Sequence, residues 1–187
     1  MPHATTAELT AALPHLRAAP AADGRLTLLV RRPAEGEREL LTQGMLDPAD
    51  GLVGDNWLSR ATSVAIAEGR HLKAQLNVMS ARMVALLAGH PEQQALAGDQ
   101  LYVDLDLSHA NLPTGARLAI GGPDGEPVVI EVTDKPHNGC AKFLARFGQD
   151  ALDFVNSEVG KELRLRGFNA RVVTPGIVRP GDPVRRL

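Results

Sequence analysis

The side chains with the most reactive potential lie in one stretch, Thr133-Asp134-Lys135-Pro136-His137-Asn138-Gly139-Cys140-Ala141-Lys142-Phe143-Leu144-Ala145-Arg146-Phe147-Gly148. Cys140 is the only cysteine of the chain. A strand is expected to end near Thr133, and Pro136 and the Asn138-Gly139 pair to turn the chain. Phe143, Leu144 and Phe147 then make one apolar helical face that Gly148 stops. With Asn138 as the N-cap, Cys140 falls in the helix's first turn. A helix start and nearby cations favour a thiolate over a thiol, and Lys135, His137, Lys142 and Arg146 all lie within six residues. This setting suits a nucleophile, a sulfur acceptor or a soft-metal ligand; a small buried hydrophobe is the plain alternative. Lys135 and His137 are candidates for tuning the thiolate or donating a proton.

The other reactive patterns are weaker. Arg166 and Asn169 sit in the block Arg166-Gly167-Phe168-Asn169-Ala170-Arg171. Arg166 is suited to bidentate contact with an anion, and Asn169, Arg171 and Lys142 join it as candidate anion- or substrate-binding residues. Asp104 and Asp106 alternate with Leu105 and Leu107, and read as a solvated sheet face shared with Tyr102 and Ser108. The glycine-rich dinucleotide and phosphate loops, the HExxH zinc motif and the GxSxG elbow are all missing.

The elements that must position these residues are short. Thr5 and Glu8 form a capping box for a first helix with Leu9, Leu13 and Leu16 inward, and an Ala-rich linker closes residues 1–22. Strands are expected at 26–31, 39–42, 71–78, 101–107, 117–120, 127–133, 170–173 and 184–186, with helices after Ser80 and near 140–147 and 149–156. Residues 44–63 read as an irregular connection, and Gly121-Gly122-Pro123-Asp124-Gly125 as a tight turn. Many short strands with a few helices inserted, without regular βα alternation, predict a mainly β or α+β fold. The expected architecture is a closed, mostly antiparallel β-barrel over 23–187, with a few peripheral helices.

Composition narrows the class. The chain has 187 residues, 20 basic and 22 acidic, for a net charge of −2, and 44% are hydrophobic. A core is affordable without disulfides. Near-neutral charge and 3% aromatics argue against a nucleic-acid partner. No signal-peptide pattern or membrane-spanning apolar run is visible, so a cytoplasmic protein is expected.

Taken in order, the motifs resemble the MOSC domain, named for the C-terminal domain of molybdenum-cofactor sulfurase. The series runs Gly115-Ala116-Arg117-Leu118-Ala119-Ile120-Gly121, then Val129–Thr133, then Pro136-His137-Asn138-Gly139-Cys140. Arg166–Val172 and Gly176-Ile177-Val178-Arg179-Pro180-Gly181-Asp182 follow. The match covers residues 95–187 well, with Gly51–Asp55 and the 71–88 block similar to the upstream part of small stand-alone members.

The resemblance implies a barrel of the pyruvate-kinase type. It also implies that Cys140 carries sulfur as a persulfide, taken from a pyridoxal-phosphate-dependent cysteine desulfurase and passed toward a molybdenum or metal–sulfur centre. The chain shows no desulfurase domain, so that cofactor would enter only through a partner. A second implication comes from the mitochondrial amidoxime-reducing branch, where the matching cysteine ligates molybdenum. Cys140 would then be a metal ligand in a molybdenum-cofactor-dependent reductase of N-hydroxylated compounds. A third reading, from the residues alone, is a non-catalytic barrel that binds a small anion or a partner.

Overall fold

The computed structural model describes residues 3–122 and 125–187. Pro123 and Asp124, in the expected 121–125 turn, lie outside them. Among the described residues there are eleven strands: β1 (Asp23–Arg31), β2 (Glu39–Leu40), β3 (Gly44–Asp47), β4 (Gly51–Leu52), β5 (Leu76–Ser80), β6 (Leu101–Asp104), β7 (Arg117–Ile120), β8 (Val128–Val132), β9 (Phe168–Thr174), β10 (Gly176–Val178) and β11 (Pro183–Arg186). Seven of them run β11-β7-β8-β9-β5-β6-β1. Pairing of Asp23 with Arg185 and Gly24 with Val184 returns β1 to β11 and closes the barrel. Closure leaves these seven strands without a free edge. Among the described strands only β5 and β6 pair in parallel, so the barrel is mixed and mostly antiparallel. A small second sheet, β10-β3-β4, lies beside it.

Eight helices flank the barrel among the described residues: α1 (Thr6–Ala11), α2 (Leu13–Arg17), α3 (Ser63–Ala67), α4 (Ala81–Leu87), α5 (Pro91–Gln94), α6 (Ala141–Phe147), α7 (Gln149–Asn156) and α8 (Glu158–Glu162). The capping box of α1 forms with Thr5 and Glu8, and Ser80 caps α4. None of these helices is long and apolar enough to cross a membrane.

Two apolar layers explain the strand sequences. Leu26, Leu76, Val78, Leu101, Val103, Leu118, Ile130 and Val184 fill the barrel. Met79 and Tyr102, pointing the other way from the same strands, pack outside with Leu9, Met83, Phe143, Phe147 and Phe154 of the helices. The face of Tyr102 is therefore not the solvated face its alternation with Leu101 and Val103 predicts. Tyr102 is fully buried, because helices cover that wall of the barrel. Further out, Asp104 meets Arg82 at 2.6 Å, and Asp106 accepts from the Ser108 backbone.

Two other segments differ from expectation. Residues 70–74 form a 3-10 turn, and the strand starts later, at Leu76. The segment 44–63 contributes β3 and β4, whose register is set by distant β10.

Candidate functional site

The strand β8 ends at Val132, and the chain then crosses the barrel mouth to α6. Asn169 on β9 fixes that crossing: its Nδ2 donates to the carbonyls of Lys135 and Pro136 at 3.0 Å each. Its Oδ1 accepts from Asn77 on β5 at 2.6 Å. Gly139 is clamped by Asn156 of α7, whose Oδ1 accepts from the Gly139 N–H at 2.9 Å while Nδ2 donates to the Gly139 carbonyl at 3.2 Å. A Cβ at Gly139 would sit 2.8 Å from Leu152, so glycine permits this seating. Cys140 follows as the N-cap of α6, two positions earlier in the helix than an Asn138 cap implies. Its side chain caps nothing, and the residue is exposed.

Cys140 opens onto a cleft of about 910 Å³. Its floor is a network of paired charges. Asp99, fully buried, accepts from Arg166 at 2.6 Å and engages His137 Nε2 at 2.6 Å. Arg32, 3% exposed, grips Asp55 with Nε at 2.9 Å and NH2 at 2.8 Å. It also donates to Asn77 Oδ1 and to the Gly98 carbonyl. The Arg166 guanidinium lies 5.1 Å from the Phe143 ring of α6, which ties the cysteine-bearing helix to this floor.

Electrostatics set the protonation of the floor. Burial opposes the charge on Asp99, but Arg166 and His137 outweigh it and hold the carboxyl below its ordinary range. Burial, aided by Arg166, pushes the His137 imidazole down despite Asp99. A neutral ring beside a carboxylate must carry its proton on Nε2 and donate it, which leaves Nδ1 as the basic nitrogen.

The rim is different. Arg38, Arg60 and Arg146 line the cleft above the floor. Burial, then the charges of Arg146 and Arg32, disfavour the protonated form of Arg38. Burial and Arg32 do the same for Arg60. Beneath them Gly98, at φ +90°, leaves a hollow in which a Cβ would stand 3.4 Å from both Arg38 and Arg146. Three buried polar atoms around the cleft lack partners among the described residues: Arg38 Nε, Asn56 Oδ1 and Arg166 Nε. Positive rim, hollow and orphaned atoms together describe a seat for an anion.

The family model of the MOSC domain matches residues 70–185, well over half of the chain. The chain belongs to the MOSC domain family. Its fold is similar to that of the YuaD protein from Bacillus subtilis, at 19% identity and TM-score 0.55 over 87% of this chain and 94% of that one. YiiM from Geobacillus stearothermophilus matches at 13% identity and TM-score 0.54, over 88% of this chain and 75% of its own. YiiM from Escherichia coli matches at 22% and 0.51, over 87% and 69%. At these identities the likeness is one of fold. No curated protein matches the chain.

Within this MOSC fold the sequence candidates separate. His137, Cys140, Lys142 and Arg166 share the cleft, with Lys142 held to Glu35 at 3.1 Å. Lys135 lies outside the cleft and lines two neighbouring pockets. Asn169 fixes the loop, and Arg171 pairs with Glu131 on the barrel exterior at 2.7 Å. Asp99, Arg32, Arg38 and Arg60 were not singled out by sequence. The doublet Arg31-Arg32 ending a strand, with Arg38 across a turn, was the available signal for the arginines.

Proposed function

We propose that this MOSC protein holds a molybdenum cofactor in the cleft, with the Cys140 thiolate as the protein's ligand to the metal. The observation that carries the reading is one exposed thiol facing a large cleft whose rim arginines, among the described residues, have no carboxylate within ion-pair distance. The donor set fits the group. Among the described residues no three His, Cys, Asp or Glu side chains gather as a metal site. A lone thiolate therefore suits a soft metal that arrives with its other ligands already attached. Arg38, Arg60 and Arg146 would hold the anionic parts of the cofactor, and the Gly98 hollow would admit it. When bound, the cofactor supplies two-electron redox chemistry, of the type that reduces N-hydroxylated compounds. His137 Nδ1 offers a proton-accepting site at the cleft wall, oriented by Asp99. Burial, together with Arg166, keeps that imidazole neutral.

A second reading is favoured by the exposure of Cys140: a thiol open to solvent can accept sulfur as a persulfide from a cysteine desulfurase and pass it on.

Molybdenum content and released pterin, measured on protein from a cofactor-producing host, test the first reading. Both should be present in wild type and lost in Cys140→Ser, and in Arg38→Ala with Arg146→Ala. A metal-free wild-type protein that gains about 32 Da on treatment with desulfurase and cysteine, reversibly by reduction, would replace it with the second. Neither signal, with anion binding unaffected by Cys140→Ser, would leave a non-catalytic barrel.

A further inference from the structure

Behind His137 and Arg166, on the side away from Cys140, lies a separate pocket of about 320 Å³. Arg164 stands at its wall. This residue is 8% exposed, and among the described residues no carboxylate lies within ion-pair distance of it. Its Nε donates to His109 Nε2 at 3.2 Å, and its NH1 donates to the Leu112 carbonyl at 2.5 Å. The Phe168 ring lies 5.9 Å from the guanidinium. These contacts fix the plane of the group without neutralising it. His109 must be unprotonated to accept this bond, and burial together with Arg164 lowers its pKa accordingly. An arginine does not shed its charge on burial, so a buried guanidinium without a counter-ion is costly.

The rest of the lining deepens the imbalance. Lys135 and Lys161 line the same pocket, and neither has a carboxylate partner among the described residues. The one acid of the lining, Asp134, is taken by Lys73 at 2.7 Å. Arg166 is balanced by Asp99. Three cations with no counter-charge therefore converge on a space that fits a small molecule. Arg164 is also the one non-glycine residue with a left-handed backbone among those described, at φ 47°. That conformation is uncommon for a long side chain.

We propose that this pocket binds a small dianion of phosphate or dicarboxylate type, held by Arg164, Lys161 and Lys135. The site is distinct from the cysteine cleft and independent of the cofactor reading. It shares only the His137–Arg166 wall with it.

Calorimetric titration of the full chain with inorganic phosphate, and separately with succinate, at constant ionic strength tests the proposal. At least one should bind with a Kd below about 1 mM. Lys161→Ala and Lys135→Ala, both exposed positions that leave the fold intact, should each weaken binding by about fivefold or more. Lys142→Ala, in the cysteine cleft, should leave it unchanged. Phosphate against succinate separates the two kinds of dianion. Binding of neither would overturn the proposal. So would binding that falls with Lys142→Ala and not with Lys161→Ala, because the anion would then sit in the cleft.

Discussion

Arg32 and Arg38 stand six positions apart, line the same cleft and are treated in opposite ways by the fold. Arg32 has a carboxylate gripped at two points, an amide oxygen and a backbone carbonyl. Arg38 has a neighbouring carbonyl, an orphaned buried Nε and three other guanidiniums for company. The same division of counter-charge separates Arg166, which pairs with Asp99 and the Ala97 carbonyl although its Nε has no partner, from Arg146, which among the described residues finds only the Leu96 carbonyl. A charge that completes its bonds inside the protein belongs to the architecture. A charge left incomplete stores electrostatic energy that an incoming anion releases. The floor of the cleft holds the protein together, and its rim leaves the charges that the proposed ligand would use.

The strongest way to break this comparison is to attack the floor. Asp99 neutralises Arg166 and receives the His137 proton, so Asp99→Ala strands a buried guanidinium. Removal of one partner of a buried ion pair costs about 3–5 kcal/mol. Denaturant unfolding of Asp99→Ala should show a loss of that size, with Asp99→Asn intermediate because it keeps hydrogen-bonding capacity. A loss under about 1 kcal/mol would mean that the floor is no more structural than the rim.

The rim should respond the other way round. Arg38→Ala together with Arg146→Ala should weaken retention of the proposed cofactor by about 10- to 100-fold, the scale of one or two charge-assisted hydrogen bonds. Stability should stay within about 0.5 kcal/mol or rise, because two crowded like charges are removed. Tm and cofactor content measured on the same preparations check both halves.

How far the site was legible in sequence follows the same line. Cys140, His137, Lys142 and Arg146 sit within one turn-and-helix segment, and Arg166 lies in a recognisable motif, so local reading finds them. Asp99 does not announce itself. It lies just before β6, 38 residues from His137 and 67 from Arg166, and an acid before a strand reads as a turn residue. The barrel itself was legible because its strands carry β-branched and leucine-rich runs bounded by glycine and proline. Tyr102 reads as exposed because alternation within one strand cannot reveal that helices cover the outer wall. The strands β3 and β4 were missed because elements of two to four residues carry no period, and β10, their organiser, lies about 130 residues away. Lys135 was grouped with Cys140 by proximity in sequence. The Asn169 clamp on the carbonyls of Lys135 and Pro136 shows how a turn separates neighbours that a linear reading unites.

A pH profile sharpens the comparison on a smaller scale. The folded state holds His137 below the ordinary imidazole value of 6.5, so below that pH the unfolded chain binds a proton that the folded chain refuses. Stability is therefore complete above pH 6.5 and falls as pH drops toward the lowered value, by up to about 1.4 kcal/mol per pH unit for each such group. His109 behaves the same way. Unfolding free energy measured from pH 8 to 5 should fall in wild type and fall less steeply in His137→Gln. An unchanged slope would mean that the floor tolerates the imidazolium and that the neutral ring is not part of its design.

The smallest structural effect belongs to the residue with the largest proposed role. Cys140 is exposed and caps no backbone group through its side chain, while the backbone that positions it is fixed by Asn156 and by Phe143 packing. Cys140→Ser should therefore shift stability by no more than about 0.5 kcal/mol. Asn156→Ala, which frees both polar groups of Gly139, should cost about 1–2 kcal/mol and leave the thiol in place. The pair separates chemistry from placement. If Cys140→Ser loses molybdenum at full stability while Asn156→Ala keeps part of it at reduced stability, the thiol acts as a ligand and the clamp as its support. If the two variants lose equal stability and metal, Cys140 belongs with the floor, as one more group whose bonds are completed inside the protein.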